Sequence, residues 1–362
     1  MMTRRRLIPA RAPSAEDELH VVVSTFSPSR DGIAKYADQV VEDMRGRGLS
    51  VEVIHVAELT RLPFGVTGAH RMITRTRRGA RLVLMWHPSF FVAGGPVHGS
   101  LDYLILGCCL RLRRTEVVVH EPDPVPDGVP CRWEWQRSLF GVAQRFFWRG
   151  AAEVTFHSRW ERDRFLREIL PGARTSVSEH SRSFRPQVRA AKAEARTALG
   201  VDLATATHLF LCIGFIGPHK GFDRAVEAYR RLPGDLRRTA ALYVVGAPLE
   251  PSPVVDAHVA LLRQIASDLP GVTLVLETVS DLEFDLWLQA ADTVILPYRE
   301  ISSSGVSARA SLFGTPAIVT AVGALPEQAG PSDVVVSGDE EIRDAMAARI
   351  AGDDPSCAAI GS

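Results

Sequence analysis

Apolar positions along the chain alternate between two periods, and the first clear instance is the stretch LHVVVSTFSPSRDGIAKYADQVVEDMRGRGLSVEVIHV. A β-branched run at 21–23 ends in a Ser/Pro/Gly loop. Ile33, Tyr36, Ala37, Val40, Val41 and Met44 then recur at three- and four-residue spacing, Gly48 supplies a stop, and a second β-rich run covers 51–56. The switch from strand period to helix period and back predicts a strand–helix–strand unit. It repeats in looser form, with a strand over 81–85, a helix over 101–112, a strand over 116–119, a mixed helical stretch and a strand over 153–156. Strands that alternate with helices predict a parallel sheet covered on both faces.

The periodicity fades over 176–195, SVSEHSRSFRPQVRAAKAEA, and a new series starts at 208 with LFLCIGFIGPHKGFDRAVEAYRRL. Strands are predicted there over 241–245, 272–276, 293–296 and 317–319, with a helix over 307–313. The expected organisation is a disordered leader at 1–18, one α/β domain at 19–178, a linker at 179–204, a second α/β domain at 205–352 and a tail at 353–362. A chain of 362 residues has room for two such domains.

Composition narrows the classes. Lys plus Arg and Asp plus Glu both number 42, so no global field draws the chain toward nucleic acid or an anionic membrane, and any such attraction is local. The five cysteines are odd in number and scattered, without a C-x-x-C pair, which argues against a disulfide framework or a zinc site and fits a reducing cytoplasm. The basic N-terminus has no apolar core behind it and does not read as a secretory signal. The longest apolar run, 104–110, is far short of the roughly 20 residues of a spanning helix.

Three loops between strand and helix carry candidate chemistry, because unsatisfied N–H groups at a helix start and its positive dipole end suit phosphate. In the loop 27–33, Gly32 permits close backbone approach and Lys35 lies one turn into the helix; a plain βα turn is the alternative. In the loop 214–221, Gly214, Gly217 and Gly221 surround Lys220. Only three of the 42 basic residues are lysines, Lys35, Lys192 and Lys220, and two of them fall at such loops. Neither loop is a G-x-G-x-x-G fingerprint or a P-loop. In the loop 296–306, Arg299 and Glu300 could bind charge or hydroxyls, and Ser304, Gly305 and Val306 bring further N–H groups, or Ser simply caps a helix. His87 and His120 each end a strand on the side where open α/β sheets bind ligands, with Glu121 next to His120. His157 and Ser158 read as a helix cap, and His180 lies between the domains. The segment 132–149 interleaves arginine with six aromatics, which suits a membrane surface or core packing.

In this order, the Gly32 loop, IGFIGPHKGFDRAVEA, VVGAP at 244–248, ADTVILPYREISSSGV and FGTPAIVTAVGALPE resemble the glycosyltransferases of the GT-B fold, across 21–328. The likeness is to the large retaining family 4, or group 1, which includes mannosyl- and glucosyltransferases of cell-surface polysaccharide pathways. It implies two Rossmann-like parallel-sheet domains facing across a cleft, donor in the C-terminal one and acceptor in the other. It implies a hexose moved with retention from a nucleoside diphosphate sugar to a hydroxyl of a glycan or lipid-linked acceptor, with no metal, no cofactor beyond that co-substrate and no nucleic acid. By resemblance, Lys220 and the backbone of Gly32 meet the donor diphosphate, with Lys35, Gly214, Gly217, Ser304, Gly305 and Val306 on the donor side. His120 stands near the reacting anomeric carbon, Glu300 substitutes for the sugar-holding glutamate, and His87 and Glu121 face the acceptor. Peripheral contact with the inner face of a membrane through 132–149 is expected. Three positions depart from the pattern: Phe215 stands where many relatives carry arginine, and Ile301 and Arg309 stand where they carry two glutamates. A non-catalytic nucleotide-sugar-binding relative and a nucleotide-sugar epimerase are the alternatives.

Overall fold

The structure, a computed structural model, describes residues 19–24, 32–56, 65–76, 79–92, 95–121, 123–124, 129–179, 184–203, 206–248 and 252–352. The expected leader and tail, most of the loop before Gly32, and His180 lie outside these residues. Contacts divide the chain into one unit of Met1–Phe156 with Arg162–Val177, and another of His157–Glu161 with Ser178–Ser362.

The first unit holds β1 (His20–Ser24), β2 (Val51–His55), β3 (Arg81–Trp86), β4 (Arg114–Val119), β5 (Glu153–Phe156) and β6 (Thr175–Val177) in the order β2-β1-β3-β4-β5-β6. All neighbours are parallel. The second holds β7 (His208–Ile213), β8 (Ala240–Val245), β9 (Val272–Val275), β10 (Thr293–Leu296), β11 (Ala317–Thr320) and β12 (Val334–Val336), again all parallel, in the order β12-β11-β10-β7-β8-β9. Central strands are buried along almost their whole length, as a sheet covered on both faces requires.

The first helix, Gly32–Gly46, places Tyr36, Ala37 and Val41 against Val22, Val83, Met85 and Val118 on one face of its sheet. The other face packs with the helices Gly65–Arg75, Pro96–Arg111 and Glu134–Trp148 around Trp86, Tyr103, Phe147 and Trp148. That core contains a carboxylate: Asp123 accepts from Trp86 Nε1 and Trp148 Nε1, both at 2.8 Å, and from Gln144 Nε2 at 3.2 Å.

Several elements differ from the sequence expectation. The strands β6 and β12 have three residues each, too short to leave a period. The helix expected over 101–112 starts at Pro96, where a proline in the first turn loses no hydrogen bond. The polar segment 184–203 is folded onto the second unit. Its Gln187 and Ala190 N–H groups donate to Asp285 and Gln289, and Lys192 and Arg196, on the helix Lys192–Ala198, pair with Asp292 at 2.5 and 2.6 Å.

Each sheet has one point where the chain reverses its direction of travel, between β1 and β3 in the first and between β7 and β10 in the second. Loops at the C-terminal ends of these strands part there and leave the crevice in which open α/β sheets bind ligands.

Candidate functional site

In the second unit, the loops after β7 and β10 meet at the reversal point. Lys220 ends a single turn of 3₁₀ helix, Pro218–Lys220, whose carbonyl at His219 accepts from Arg299 N–H at 2.8 Å. Arg299 also donates a fork to Asp223, 2.8 and 2.6 Å, and a further bond to the Pro218 carbonyl at 2.9 Å. Burial pushes the Asp223 carboxyl up, and the Arg299 fork more than reverses this, leaving it below the usual carboxylate range. The charge that Arg299 binds within this unit is Asp223, and its fork ties the two loops together.

Glycines make the close fit possible. Gly221 has φ 63°, and a Cβ there would fall 2.2 Å from the Pro297 carbonyl oxygen. Likewise a Cβ on Gly246 would meet the Gly214 oxygen at 2.0 Å, and one on Gly323 the Ile301 oxygen at 1.8 Å. The loops after β7, β8, β10 and β11 are thus stacked backbone on backbone. Within this frame Lys220 Nζ lies 4.2 Å from the centroid of the buried Tyr298 ring, a cation–π contact that steadies the ammonium. Burial and the Lys220 charge hold His219 below the ordinary histidine range, so at neutral pH the charge of this turn belongs to Lys220.

The helix Gly305–Phe313 begins two residues before the expected start. Ser304 is its N-cap and accepts from Ser307 N–H at 3.2 Å, while its own N–H donates to Gln328 Oε1 at 2.8 Å. With Ser307 taken by the cap, Gly305 and Val306 bring the first-turn donors at the positive end of the helix. Val306 borders the loop after β7, its Cγ2 being 3.6 Å from where a Gly214 Cβ would lie. Gly217 is buried and extended at the start of the Lys220 turn. Gly214, Gly217, Lys220, Ser304, Gly305 and Val306 thus belong to loops that the fold joins. Glu300 is exposed on the same loop, its N–H 3.4 Å from the His219 oxygen, whereas Ile301 packs on the core. Arg309 turns to the helix Asp281–Ala290, pairing with Asp281 at 3.1 Å and Asp285 at 2.5 Å and lying over the Phe284 ring.

In the first unit, Gly32 opens its helix next to the β1–β3 reversal point, with Lys35 in the same turn. His120 follows β4; its N–H donates to the Trp86 oxygen at 2.9 Å, its Nε2 is 3.5 Å from Met85 Sδ, and its ring meets Tyr36 edge-on at 4.8 Å. The end of β3, the first helix and His120 therefore share the same crevice. His87 caps the short helix Pro88–Phe91, with Nδ1 2.8 Å from Ser89 Oγ, and Glu121 is exposed. Ser158 caps the N-terminus of the helix Arg159–Glu168, its Oγ accepting from Glu161 N–H at 3.1 Å and donating to the Glu161 carboxylate at 2.9 Å, and burial pushes the adjacent His157 down to about 4.

Sequence reasoning missed Asp223, Gly246, Gly323 and Gln328 as parts of this frame. Gly246 and Gly323 stand inside the motifs quoted above, but only the tertiary contact reveals why no side chain fits there.

Residues 207–352 match the family model described as glycosyl transferases group 1. No curated protein sequence matches the chain. Among solved structures the fold is similar to sucrose-phosphate synthase from Thermosynechococcus elongatus, with a TM-score of 0.69 at 17% identity over 94% of this chain and 91% of that one. It is also similar to Anabaena HepE in complex with UDP and glucose, with a TM-score of 0.64 at 14% identity over 94% of both chains. WaaG, a glycosyltransferase involved in lipopolysaccharide biosynthesis, aligns with a TM-score of 0.64 at 16% identity over 92% of this chain and 90% of that one. The chain thus has the GT-B fold, and its residues 207–352 match the group 1 glycosyltransferase family model.

Proposed function

We propose that the chain transfers a hexose, with retention, from a nucleoside diphosphate sugar to a hydroxyl of a glycan or lipid-linked acceptor. The observation that carries this reading is the clamped pair of loops at the β7–β10 reversal, where a cation on an aromatic face and an open helix N-terminus are fixed side by side. Such a site suits an anion whose charge grows during reaction. HepE, a structural neighbour, has been solved with UDP-glucose, which supports a donor of that class.

In the reaction, the bond between the anomeric carbon and the diphosphate oxygen breaks with its electron pair passing to the phosphate. The acceptor oxygen bonds to that carbon on the same face, and its proton goes to the departing phosphate oxygen. Lys220 and the N–H groups of Gly305 and Val306 stabilise the phosphate charge, and Gly32 offers a further helix-start donor from the first unit. His120 is assigned to the sugar and Glu300 to its hydroxyls, with His87 and Glu121 toward the acceptor. Donors already in place need no reorganisation as charge develops, and one of them is worth about 10²–10³ in rate.

The test is release of nucleoside diphosphate from a panel of UDP- and GDP-hexoses, with and without simple sugar acceptors. Turnover of one donor that falls about 10²–10³-fold in Lys220→Ala supports the reading. Absence of binding to every donor refutes it. Arg309 favours one second reading, a nucleotide-sugar binder without turnover, because its side chain is committed to Asp281 and Asp285 and supplies no carboxylate for the ribose. Tight binding without turnover in the same panel selects that reading.

A further inference from the structure

The six aromatics of 132–149 divide between two environments. Phe140, Phe147 and Trp148 are buried in the core of the first unit, whereas Trp133 and Trp135 stand 54% and 57% exposed. On the helix Glu134–Trp148, Trp135, Leu139, Val142 and Phe146 are spaced by four, three and four residues, which puts them on one face, the one turned outward. The helix Pro96–Arg111 lies directly alongside. A Cβ on its Gly107 would be 2.7 Å from the Phe146 ring and 3.0 Å from the Phe147 Cα, so the glycine allows the two helices to lie close. Among the exposed residues of this neighbouring helix and its cap, Val97, Leu101, Cys108 and Leu112 are also apolar, beside the polar His98 and Arg111. Of the thirteen large hydrophobic side chains exposed among the described residues, seven belong to this helix pair and its caps. An exposed apolar area of this kind marks an interaction surface.

Its border is positive. Arg111 lies over the Phe146 ring at 3.7 Å and donates to the Gly107 and Phe146 carbonyls. Arg113 and Arg145 also donate to backbone carbonyls, and Arg132 and Arg149 flank the ends of the helix Glu134–Trp148. Carbonyls satisfy their N–H groups without cancelling their charge. The acids of the two helices are Asp102, which is buried, and Glu134. A second copy of this face would bring arginine edge against arginine edge. An anionic lipid surface answers both features, because its acyl boundary accepts the apolar stripe and its phosphates meet the arginines.

We propose that the outward face of the helices Pro96–Arg111 and Glu134–Trp148 docks on an anionic lipid surface. The apolar stripe enters the headgroup–acyl boundary, and Arg111, Arg132, Arg145 and Arg149 sit at phosphate level. Among the described residues no helix is long and apolar enough to cross a membrane, so the contact is peripheral. The balanced net charge makes any attraction to an anionic surface a local one, of the kind this face offers.

The full chain is sedimented with vesicles of phosphatidylcholine alone and with phosphatidylglycerol added. Binding is expected only to the anionic vesicles and weakens with added salt. The double variant Arg132→Ser/Arg149→Ser is expected to lower the partition coefficient roughly 10-fold or more, and Trp135→Ser/Val142→Ser by a similar factor. Brominated lipid is expected to quench wild-type tryptophan fluorescence, and less so that of Trp135→Phe, a readout independent of the serine variants. Equal binding to neutral vesicles, no binding, or variants indistinguishable from wild type overturns the proposal. Self-association in sedimentation velocity that Trp135→Ser abolishes, without vesicle binding, also overturns it and identifies the face as an interface between copies.

Discussion

Gly221 and Gly200 have the same φ of 63°, and only one of them is crowded. This pair separates the cost of a left-handed backbone from the cost of the loop packing that frames Lys220. An alanine at either position bears about 1–2 kcal/mol for its Cβ in that region, partly offset by about 0.4–1 kcal/mol of lost freedom in the unfolded chain. Gly200→Ala meets nothing within 4 Å and is expected to cost about 1 kcal/mol. Gly221→Ala would put its Cβ 2.2 Å from the Pro297 oxygen, which belongs to backbone and cannot rotate aside. Ordinary carbon–oxygen contact begins near about 3.3 Å, so the loops after β7 and β10 must part by about 1 Å. Overpacking of that size adds about 1–3 kcal/mol, for a total of about 3 kcal/mol. The same movement pulls the His219 oxygen from Arg299 N–H, now 2.8 Å apart, and Lys220 from the Tyr298 ring. Urea unfolding gives the stability of each variant, and calorimetric titration with UDP and GDP gives the binding. Gly221→Ala should lose both stability and nucleotide affinity, and Gly200→Ala only a little stability. Losses equal within about 0.5 kcal/mol, with unchanged affinity in both, would refute the argument that close backbone packing shapes this site.

Three further outcomes follow from named contacts. Arg299→Lys keeps the charge but cannot make the fork to Asp223, so donor KM should rise with little loss of stability, about 1 kcal/mol because Arg299 is half exposed; steady-state kinetics and thermal melting check both. Arg309→Glu, which puts a carboxylate where the resemblance implies one, should destabilise by about 3–5 kcal/mol without improving nucleotide affinity, since it sets a third acid against Asp281 and the buried Asp285; chemical unfolding with a nucleotide titration decides it. Burial pushes Asp123 up to about 6, against hydrogen bonds from Trp86, Tyr103, Trp148 and Gln144. A folded-state value above the unfolded one favours the native state when the group is protonated. That contribution is complete below about pH 4 and lost as pH rises through about 6, on the order of 3 kcal/mol. Wild type should therefore lose that much relative to Asp123→Asn between about pH 4 and pH 7 in paired urea titrations, and parallel curves would disprove it.

The parts of this fold legible in the sequence are those set by neighbours a few residues apart. The spacing of Ile33, Tyr36, Ala37, Val40, Val41 and Met44 is the buried face of the first helix, and the run 82–86 is a strand buried on both sides. The three-residue strands β6 and β12 were not legible, because they hold their place by pairing with longer neighbours and carry too few residues for a period. At the site, the order of glycine loops was visible while their mutual packing was not. Asp223 and Arg299 are 76 residues apart, and nothing local marks one as the partner of the other. From the sequence Arg299 could bind charge of any source, and the fold supplies Asp223 as one such partner.

The same distinction explains Lys220 in a chain where arginine is the usual cation. Around it, Arg299 and Arg224 are spent on fixed geometry: one holds Asp223, the other holds the Pro297 and Tyr298 carbonyls and Asp339. Planar guanidinium suits those tasks, since its fork meets several acceptors at once. Lys220 rests instead on the Tyr298 ring face, a contact that holds a compact point charge without the fixed fork geometry of a guanidinium. The arginines make the frame rigid, and that rigidity lets a single compact charge be aimed.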